Sequence, residues 1–362
     1  MGVVQAVRAS RHELVAQIES RMEAFVMNLK KLVVGAVVTS SLIAAGCGGD
    51  DPGAEGLCTS GTCAAHVYLM NELTIPTMDE DGNVPGFNID GVVSTTASGC
   101  EVSGVACNAV CDATSPAPDN IAGVDNSVGP TLGGLVMSMI QDNVDDGSVL
   151  LVMQLDGVDS FTNDNQVKLT IFLAEKPEGA TLAHEASGRL SPGQAFDINE
   201  LSFTDAAHTS PMILFANGKI INGRFQAGPA DFPLSISLMG ASLSLTVHST
   251  QLRFNVSESL VSVGVLGGGL NIEEVNATVA ATPALAEYAT VVNTTLMSFA
   301  DLDPNSEGVC ESASVAMTFA GVGATLTGDI VASPSAGTDA GVGGTDAGGG
   351  GSDAGVDAGP AT

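Results

Sequence analysis

The stretch between residues 234 and 265 alternates apolar and polar side chains, and this alternation constrains the fold more than any other feature of the chain. Apolar residues occupy every second position within 234–238, 243–247, 252–256 and 261–265. Successive side chains of a β-strand point to opposite faces, so a period of two predicts strands with one buried and one exposed face. Further strands are expected at 148–156, 166–175, 314–319 and 324–331.

Two other segments follow the spacing of an amphipathic helix, in which apolar residues recur every three or four positions. Each begins just after a proline, Pro130 or Pro283, and proline favours the first turn of a helix. The apolar stripes comprise Leu132, Leu135, Val136, Met139 and Ile140 in the first segment, and Leu285, Tyr288, Val292, Leu296 and Phe299 in the second. We therefore predict a mostly β fold, either an antiparallel sandwich or an open barrel-like sheet, with two packed amphipathic helices.

Residues 27–46 have the layout of a secretory signal, because Lys30 and Lys31 precede an apolar run that ends in small residues. The run is shorter than the about 20 apolar residues that a membrane-spanning helix needs. Its end, Ala44-Ala45-Gly46-Cys47, resembles a bacterial lipobox, in which the cysteine is acylated and becomes the mature N-terminus. The resemblance implies that Cys47 carries a lipid anchor to the membrane. Gly48, standing where an aspartate would favour the inner membrane, favours the outer membrane.

Composition divides the chain into five segments. Residues 1–26 carry charges on a helix-like pattern and fit poorly before a signal, so either translation starts at Met27 or these residues form an amphipathic extension. The others are the signal (27–46), a Gly/Asp/Pro-rich tether (47–63), a β-rich domain (64–332) with a Cys-rich N-terminal part (64–112), and a tail (333–362). The tail repeats Asp-Ala-Gly and its only large apolar residues are valines, so we expect it to be disordered.

The cysteine count agrees with export. Beyond Cys47 the six remaining cysteines are Cys58, Cys63, Cys100, Cys107, Cys111 and Cys310. An even number of cysteines in an exported chain predicts disulfides, here three. Zinc is the alternative, but no CxxC pair occurs and the spacings fit zinc poorly. We favour the pairs Cys58–Cys63, Cys100–Cys107 and Cys111–Cys310.

An acidic loop at residues 79–90 is a candidate calcium site. Asp79, Asp81 and Asn83 stand at alternate positions and Asp90 is the twelfth residue, a spacing that supplies oxygen ligands to calcium. The loop departs from the EF-hand pattern, since Val84 replaces the turn glycine and Asp90 replaces the usual glutamate. The alternative is a solvated acidic loop with Asx turns.

The charge and the motifs exclude several functions. A formal net charge of −30 makes nucleic acid an improbable partner, because phosphate backbones attract cationic surfaces. No GxSxG elbow occurs, and His184-Glu185 lacks the second histidine of a zinc-protease helix. The glycines at 264–269 lack the βαβ context of a phosphate loop and indicate a strand-end turn or bulge. We therefore expect a protein that is not an enzyme.

The order of several segments resembles that of uncharacterised lipoproteins from myxobacteria-like genomes. The segments are Gly86–Gly91, Gly123–Asn126, Asp146–Ser148 and Cys310 before a final hairpin. The resemblance implies placement in the cell envelope and assigns no chemistry. We expect a lipid-anchored envelope protein with a non-catalytic β-rich binding or interaction domain. The alternatives are a calcium-stabilised structural protein, a carrier of a hydrophobic ligand and a surface hydrolase.

Overall fold

The computed structural model describes residues 65–95, 111–117, 119–130, 140–238 and 241–332. The strands are β1 (His66–Thr74), β2 (Ala113–Thr114), β3 (Ala122–Val124), β4 (Leu151–Asp156), β5 (Asn163–Glu175), β6 (Ala195–Asn199), β7 (Ile213–Ile221), β8 (Arg224–Leu238), β9 (Ala241–Val256), β10 (Leu260–Asn271), β11 (Ala300–Pro304), β12 (Cys310–Gly323) and β13 (Thr325–Val331). The helices are α1 (Ile272–Ala281) and α2 (Ala289–Met297), with 3₁₀ turns at Glu200–Ser202 and Ala286–Tyr288. Residues 140–145 are also helical.

Eight strands form a closed, barrel-like antiparallel sheet. Their order around the sheet is β1, β4, β5, β7, β8, β9, β10 and β12, and β12 pairs with β1 to complete the ring. Neighbouring strands therefore follow one another in chain order. The sheet is closed rather than open, and a sandwich is not confirmed. Closure pairs both edges of every strand in the ring, which leaves no free edge in it.

Three strands and one hairpin lie outside the ring. Strand β6 pairs with β5, and β13 pairs in parallel with β6. Strand β11 pairs with β12, and β2 pairs with β3 as a separate two-stranded sheet. The predicted β-rich character is confirmed, and the strands expected at 148–156, 166–175, 314–319 and 324–331 correspond to β4, β5, β12 and β13.

Aromatic rings pack inside the barrel. The Phe254 ring lies 4.8 Å from that of Phe225 and 5.8 Å from that of Phe319, centroid to centroid. All three side chains are at most 3% exposed. A Cβ on Gly264 would lie 2.6 Å from the Phe319 ring, so this glycine of β10 provides the space that the ring occupies. The glycines of β10 thus lie within a strand and do not end it.

Described residues between β1 and β4 cover the outer face of the barrel over β9, β10 and β12. We call residues 84–94, 111–117 and 119–127 the covering segment. Its Asn126 accepts a hydrogen bond from the Ala316 N–H of β12 at 3.2 Å, and its Ser127 N–H donates to Ser314 Oγ at 2.8 Å. Asn126 and Ser127 are buried. Polar contacts to β12 therefore fix this part of the covering segment on the barrel.

The helices differ from the prediction in one respect. Helix α2, with the 3₁₀ turn before it, lies in the second predicted stripe, of which Leu285, Leu296 and Phe299 are buried. Helix α1 was not predicted; Asn271 caps it by accepting a hydrogen bond from the Glu274 N–H at 3.1 Å. The first predicted stripe lies mostly outside the described residues. Within the described ranges, no helix is long and apolar enough to cross a membrane.

Candidate functional site

Arg253 is a cation held under the covering segment. It lies on β9 between Leu252 and Phe254, and because Phe254 points into the barrel, Arg253 points outward. Its Nη1 donates to the Gly86 carbonyl at 2.9 Å, and its Cζ lies 4.3 Å above the centroid of the Phe87 ring. Arg253 is only 4% exposed. A charged side chain buried to this degree requires partners, and the covering segment supplies them.

Two arginines share one carboxylate at this place. Arg253 Nε donates to Asp119 Oδ2 at 3.1 Å, and Arg224 Nη1 pairs with Asp119 Oδ1. Burial lowers the pKa of Arg253, and the neighbouring Arg224 lowers it further, whereas Asp119 opposes the shift. The cluster of three side chains therefore carries a net charge of about +1 within a strongly acidic protein.

The Nη2 nitrogen of Arg253 is buried and has no hydrogen-bond partner among the described residues. Buried polar atoms of folded proteins are almost always paired, so an unpaired one needs an explanation. Arg253 also lines a cavity of about 250 Å³. Other residues that line this cavity, which we call the Arg253 cavity, are Glu72, Pro116, Asp119, Val263 and Ala320.

The backbone at the rim of the Arg253 cavity is strained. Val263 has a φ of 50°, in the left-handed region that β-branched residues rarely adopt. It lies where the pairing of β10 with β12 shifts register between Val261 and Gly264, and it is 59% exposed. The predicted bulge in the glycine-rich stretch coincides with this irregularity. Such strain concentrates at functional sites in proteins.

A second, smaller cavity of about 110 Å³ lies between the covering segment and β11. Its Asp301 accepts from the Ser314 N–H at 2.7 Å and from the Ser314 hydroxyl at 2.5 Å. Burial raises the pKa of Asp301 to about 6. The hydroxyl of Ser127 is also bound, donating to the Phe299 carbonyl at 2.6 Å. Since these groups are already paired with protein atoms, the arrangement is that of a structural junction.

The calcium candidates lie in two places. Asp79 closes its own loop, accepting hydrogen bonds from the side-chain amide of Asn83 (3.0 Å) and from the backbone N–H groups of Asn83 (2.7 Å) and Asp81 (3.0 Å), and these contacts lower its pKa. The Asp90 N–H donates to Asp125, and its carboxylate accepts from the Val92 N–H. The described residues contain no group of three or more His, Cys, Asp or Glu arranged to hold a metal ion. Calcium at Asp79, Asp81, Asn83 and Asp90 stays a prediction.

Four of the six cysteine candidates lie outside the described residues, namely Cys58, Cys63, Cys100 and Cys107. Cys47, the signal, the tether and the tail also lie outside them. Cys111 and Cys310 are disulfide-bonded and do not titrate as thiols, and Cys310 is 1% exposed. The pairing of the six cysteines stays a prediction.

Among the described histidines, His248 makes the most ion pairs. Its Nε2 lies 2.8 Å from Glu274 Oε2 and its Nδ1 lies 3.2 Å from Asp231 Oδ1, and these carboxylates raise its pKa. All three side chains are at least one-third exposed, so the cluster is an ion-pair network at the surface.

Sequence reasoning missed Arg253 and Asp119, although one signal pointed to them. From Cys47 onward the chain has only six lysines and arginines, and Arg253 is one that occupies an alternating strand. A lysine or arginine at a position within such a strand needs a partner for its charge. Its partner Asp119 comes from a loop 134 residues away in sequence, which no local pattern could indicate. Comparisons with protein-family models, curated proteins and solved structures find no match to this chain.

Proposed function

We propose that this protein is a lipid-anchored protein of the cell envelope whose barrel is a non-catalytic binding module. The binding site is the Arg253 cavity on the outer face, which apolar side chains line together with Glu72, Asp119 and Arg253. The cavity itself is the observation that carries the proposal, because small-molecule sites are concave, mostly apolar and furnished with a few charged or polar groups.

The packing of the barrel supports an external site over an internal one. Phe225, Phe254 and Phe319 occupy its interior in mutual contact, as do other side chains with almost no exposure. The interior of an eight-stranded barrel is either filled by side chains or holds one small ligand, and here side chains occupy it. This favours a surface-binding module over a carrier that encloses a hydrophobic ligand. A calcium-stabilised structural role remains an alternative, and it requires the melting temperature to rise in millimolar calcium.

The anchor is tested by Cys47→Ala in the full chain expressed in a Gram-negative host. The wild type should incorporate a fatty-acid analogue and sediment with membranes, whereas the variant should do neither, because acylation needs the cysteine sulfur. Cys111→Ala, analysed in parallel, is the control for loss of a cysteine elsewhere. Equal labelling of wild type and Cys47→Ala would contradict the anchor.

The binding module is tested with the same preparations. Purified full-length protein is screened by thermal shift against small polar solutes and against a fluorescent fatty acid. Ala320→Leu, which places a larger side chain in the Arg253 cavity, should abolish the response to any solute that binds the wild type. Saturable fatty-acid binding that persists in Ala320→Leu would instead favour the carrier of a hydrophobic ligand.

A further inference from the structure

We infer that the Arg253 cavity is the docking point for a cationic segment of a partner protein, which inserts one apolar side chain, aromatic or aliphatic, into the cavity. This inference rests on the proposed binding function and names the partner class of the same site. It follows from three features: the balanced charge at the cavity, its size and position at the surface, and the exposed carboxylates beside it.

The charges at the cavity are balanced, so the inserted group should be neutral. Asp119 is paired with both Arg253 and Arg224, and together with Glu72 these side chains are two cations and two anions. A charged group would lose its hydration here without gaining an unpaired ionic partner, whereas an apolar group gains by leaving water. Apolar atoms also line the cavity, from Pro116, Val263, Val265 and Ala320.

The size and position of the cavity favour one side chain of a larger partner over a free small molecule. Its volume of about 250 Å³ is below the roughly 300–1,000 Å³ of pockets for drug-sized ligands, whereas a cavity of about 150 Å³ already accommodates benzene. Val263, which lines it, is 59% exposed, so the cavity reaches the surface and leaves apolar area in water. Protein interfaces place single anchor side chains in such pockets, and the surrounding contacts exclude water.

Exposed carboxylates beside the cavity favour a cationic partner. Residues 79–81 are Asp, Glu and Asp, and all three are exposed. They adjoin the cavity wall, because the Val84 N–H donates to the Thr114 carbonyl at 3.2 Å and the next residue of each segment, Pro85 and Ser115, lines the cavity. Salt screens exposed charges beyond about 10 Å at 0.1 M, so these carboxylates act on a docked segment more strongly than distant ones do.

The test measures the binding of short peptides to the purified full-length protein by isothermal titration. The peptides are acetyl-Lys-Lys-X-Lys-Lys-amide, in which X is Phe, Leu or Ser, and acetyl-Gln-Gln-Phe-Gln-Gln-amide, which lacks the positive charge. We expect saturable binding when X is Phe or Leu, and at least tenfold weaker binding both when X is Ser and by the Gln peptide. No binding by any peptide, or equal affinity for the Phe peptide and either of these weaker ones, overturns the inference.

Two variants locate the apolar anchor. Ala320→Leu fills the cavity and should reduce the affinity for the Phe peptide to that for the Ser peptide. Ala216→Leu makes the same substitution at an exposed position of β7, which lies across the ring from β12, and should change neither affinity. An unchanged affinity for the Phe peptide in Ala320→Leu, or an equal loss in both variants, overturns the inference.

Two double variants locate the positive charge of the partner. Glu80→Gln with Asp81→Asn should weaken the Lys-flanked Phe peptide about threefold at low ionic strength and leave the Gln peptide unchanged. Glu178→Gln with Glu200→Gln removes the same charge at exposed positions after β5 and β6 and should change neither. Equal weakening by both pairs, or by neither, overturns the inference. The proposed binding module would survive this failure if a small solute bound the wild type but not Ala320→Leu.

Discussion

Asp125 is a buried carboxyl group whose charged form is destabilised by its surroundings. It is 3% exposed, and its Oδ2 accepts hydrogen bonds from the N–H groups of Ile89 (2.6 Å) and Asp90 (3.2 Å). Burial, followed by the charge of Asp90, raises the pKa of Asp125 to about 8. Between about pH 4 and 8 the folded protein therefore binds a proton that the unfolded chain has released. Stability consequently falls as pH rises through this range.

Asp125→Asn should remove this pH dependence, because the amide keeps an oxygen acceptor and carries no charge. We expect the variant to be about 1–3 kcal/mol more stable than the wild type at pH 8, a typical cost of a buried group that is poorly satisfied. Urea unfolding between pH 5 and 8 measures it, with Glu178→Gln as the control. The raised pKa values of Asp301, Asp90 and His248 also lower stability over parts of this range in both proteins, so the comparison cancels their effects. Parallel pH profiles for wild type and Asp125→Asn would contradict the prediction.

At the scale of elements, β9 joins two stretches that the sequence indicates as separate strands. Leu243 and Val247 are buried at odd positions, whereas Leu252 and Phe254 are buried at even positions. A strand that keeps one face buried across such a change of phase needs an extra residue. The register of β9 against β8 and β10 shifts in this region, and Ser249 has a φ of 52°. Strand β9 thus accommodates the change from odd to even buried positions by an irregularity within one long strand.

The contact of β10 with β12 depends on Gly264. A Cβ at this position would lie within 2.7 Å of three Phe319 ring atoms, so Gly264→Ala must displace a ring that also packs against Phe254. We expect a loss of about 1–3 kcal/mol, the usual cost of overpacking. For a domain of this size that is about 2–4 °C in melting temperature per kcal/mol. Gly323→Ala, whose Cβ would have no neighbour closer than 3.5 Å, is the matched control.

Phe319→Leu in the Gly264→Ala background distinguishes the mechanism. A smaller side chain should recover part of the lost stability if the ring contact is the cause, so the two substitutions should not be additive. Simple additivity would instead assign the loss to the backbone of β10.

For the whole molecule, Arg253 joins the barrel to the covering segment. Arg253→Lys keeps the charge, but a single ammonium cannot reproduce the contacts to Asp119, Gly86 and Phe87. Removing one partner of a buried ion pair costs about 3–5 kcal/mol, and we expect a smaller loss here because the ammonium keeps the charge. We also expect the covering segment to open before the barrel does.

Limited proteolysis followed by mass spectrometry tests this order. Cleavage of Arg253→Lys should appear first between residues 84 and 127, while β7 to β10 remain intact. Lys219→Arg, which exchanges the same two side-chain types at an exposed position of β7, should match the wild type. Simultaneous cleavage throughout the barrel would mean that the covering segment and the barrel unfold as one unit.

The sequence alone determined the class of the fold, because a period of two in apolar residues is a local property that does not depend on how the strands are arranged. It also determined the candidate export signal and the acidic character, which depend on composition and order. Tertiary structure decided the rest. Closure of the sheet depends on β5 meeting β7, and the candidate site depends on Arg253 meeting Asp119 across 134 residues. Neither contact can be predicted from the periodicity of the sequence, since each joins two positions whose local sequences show no special pattern. The Arg253 cavity likewise forms only when β1, β9 and the covering segment surround one space.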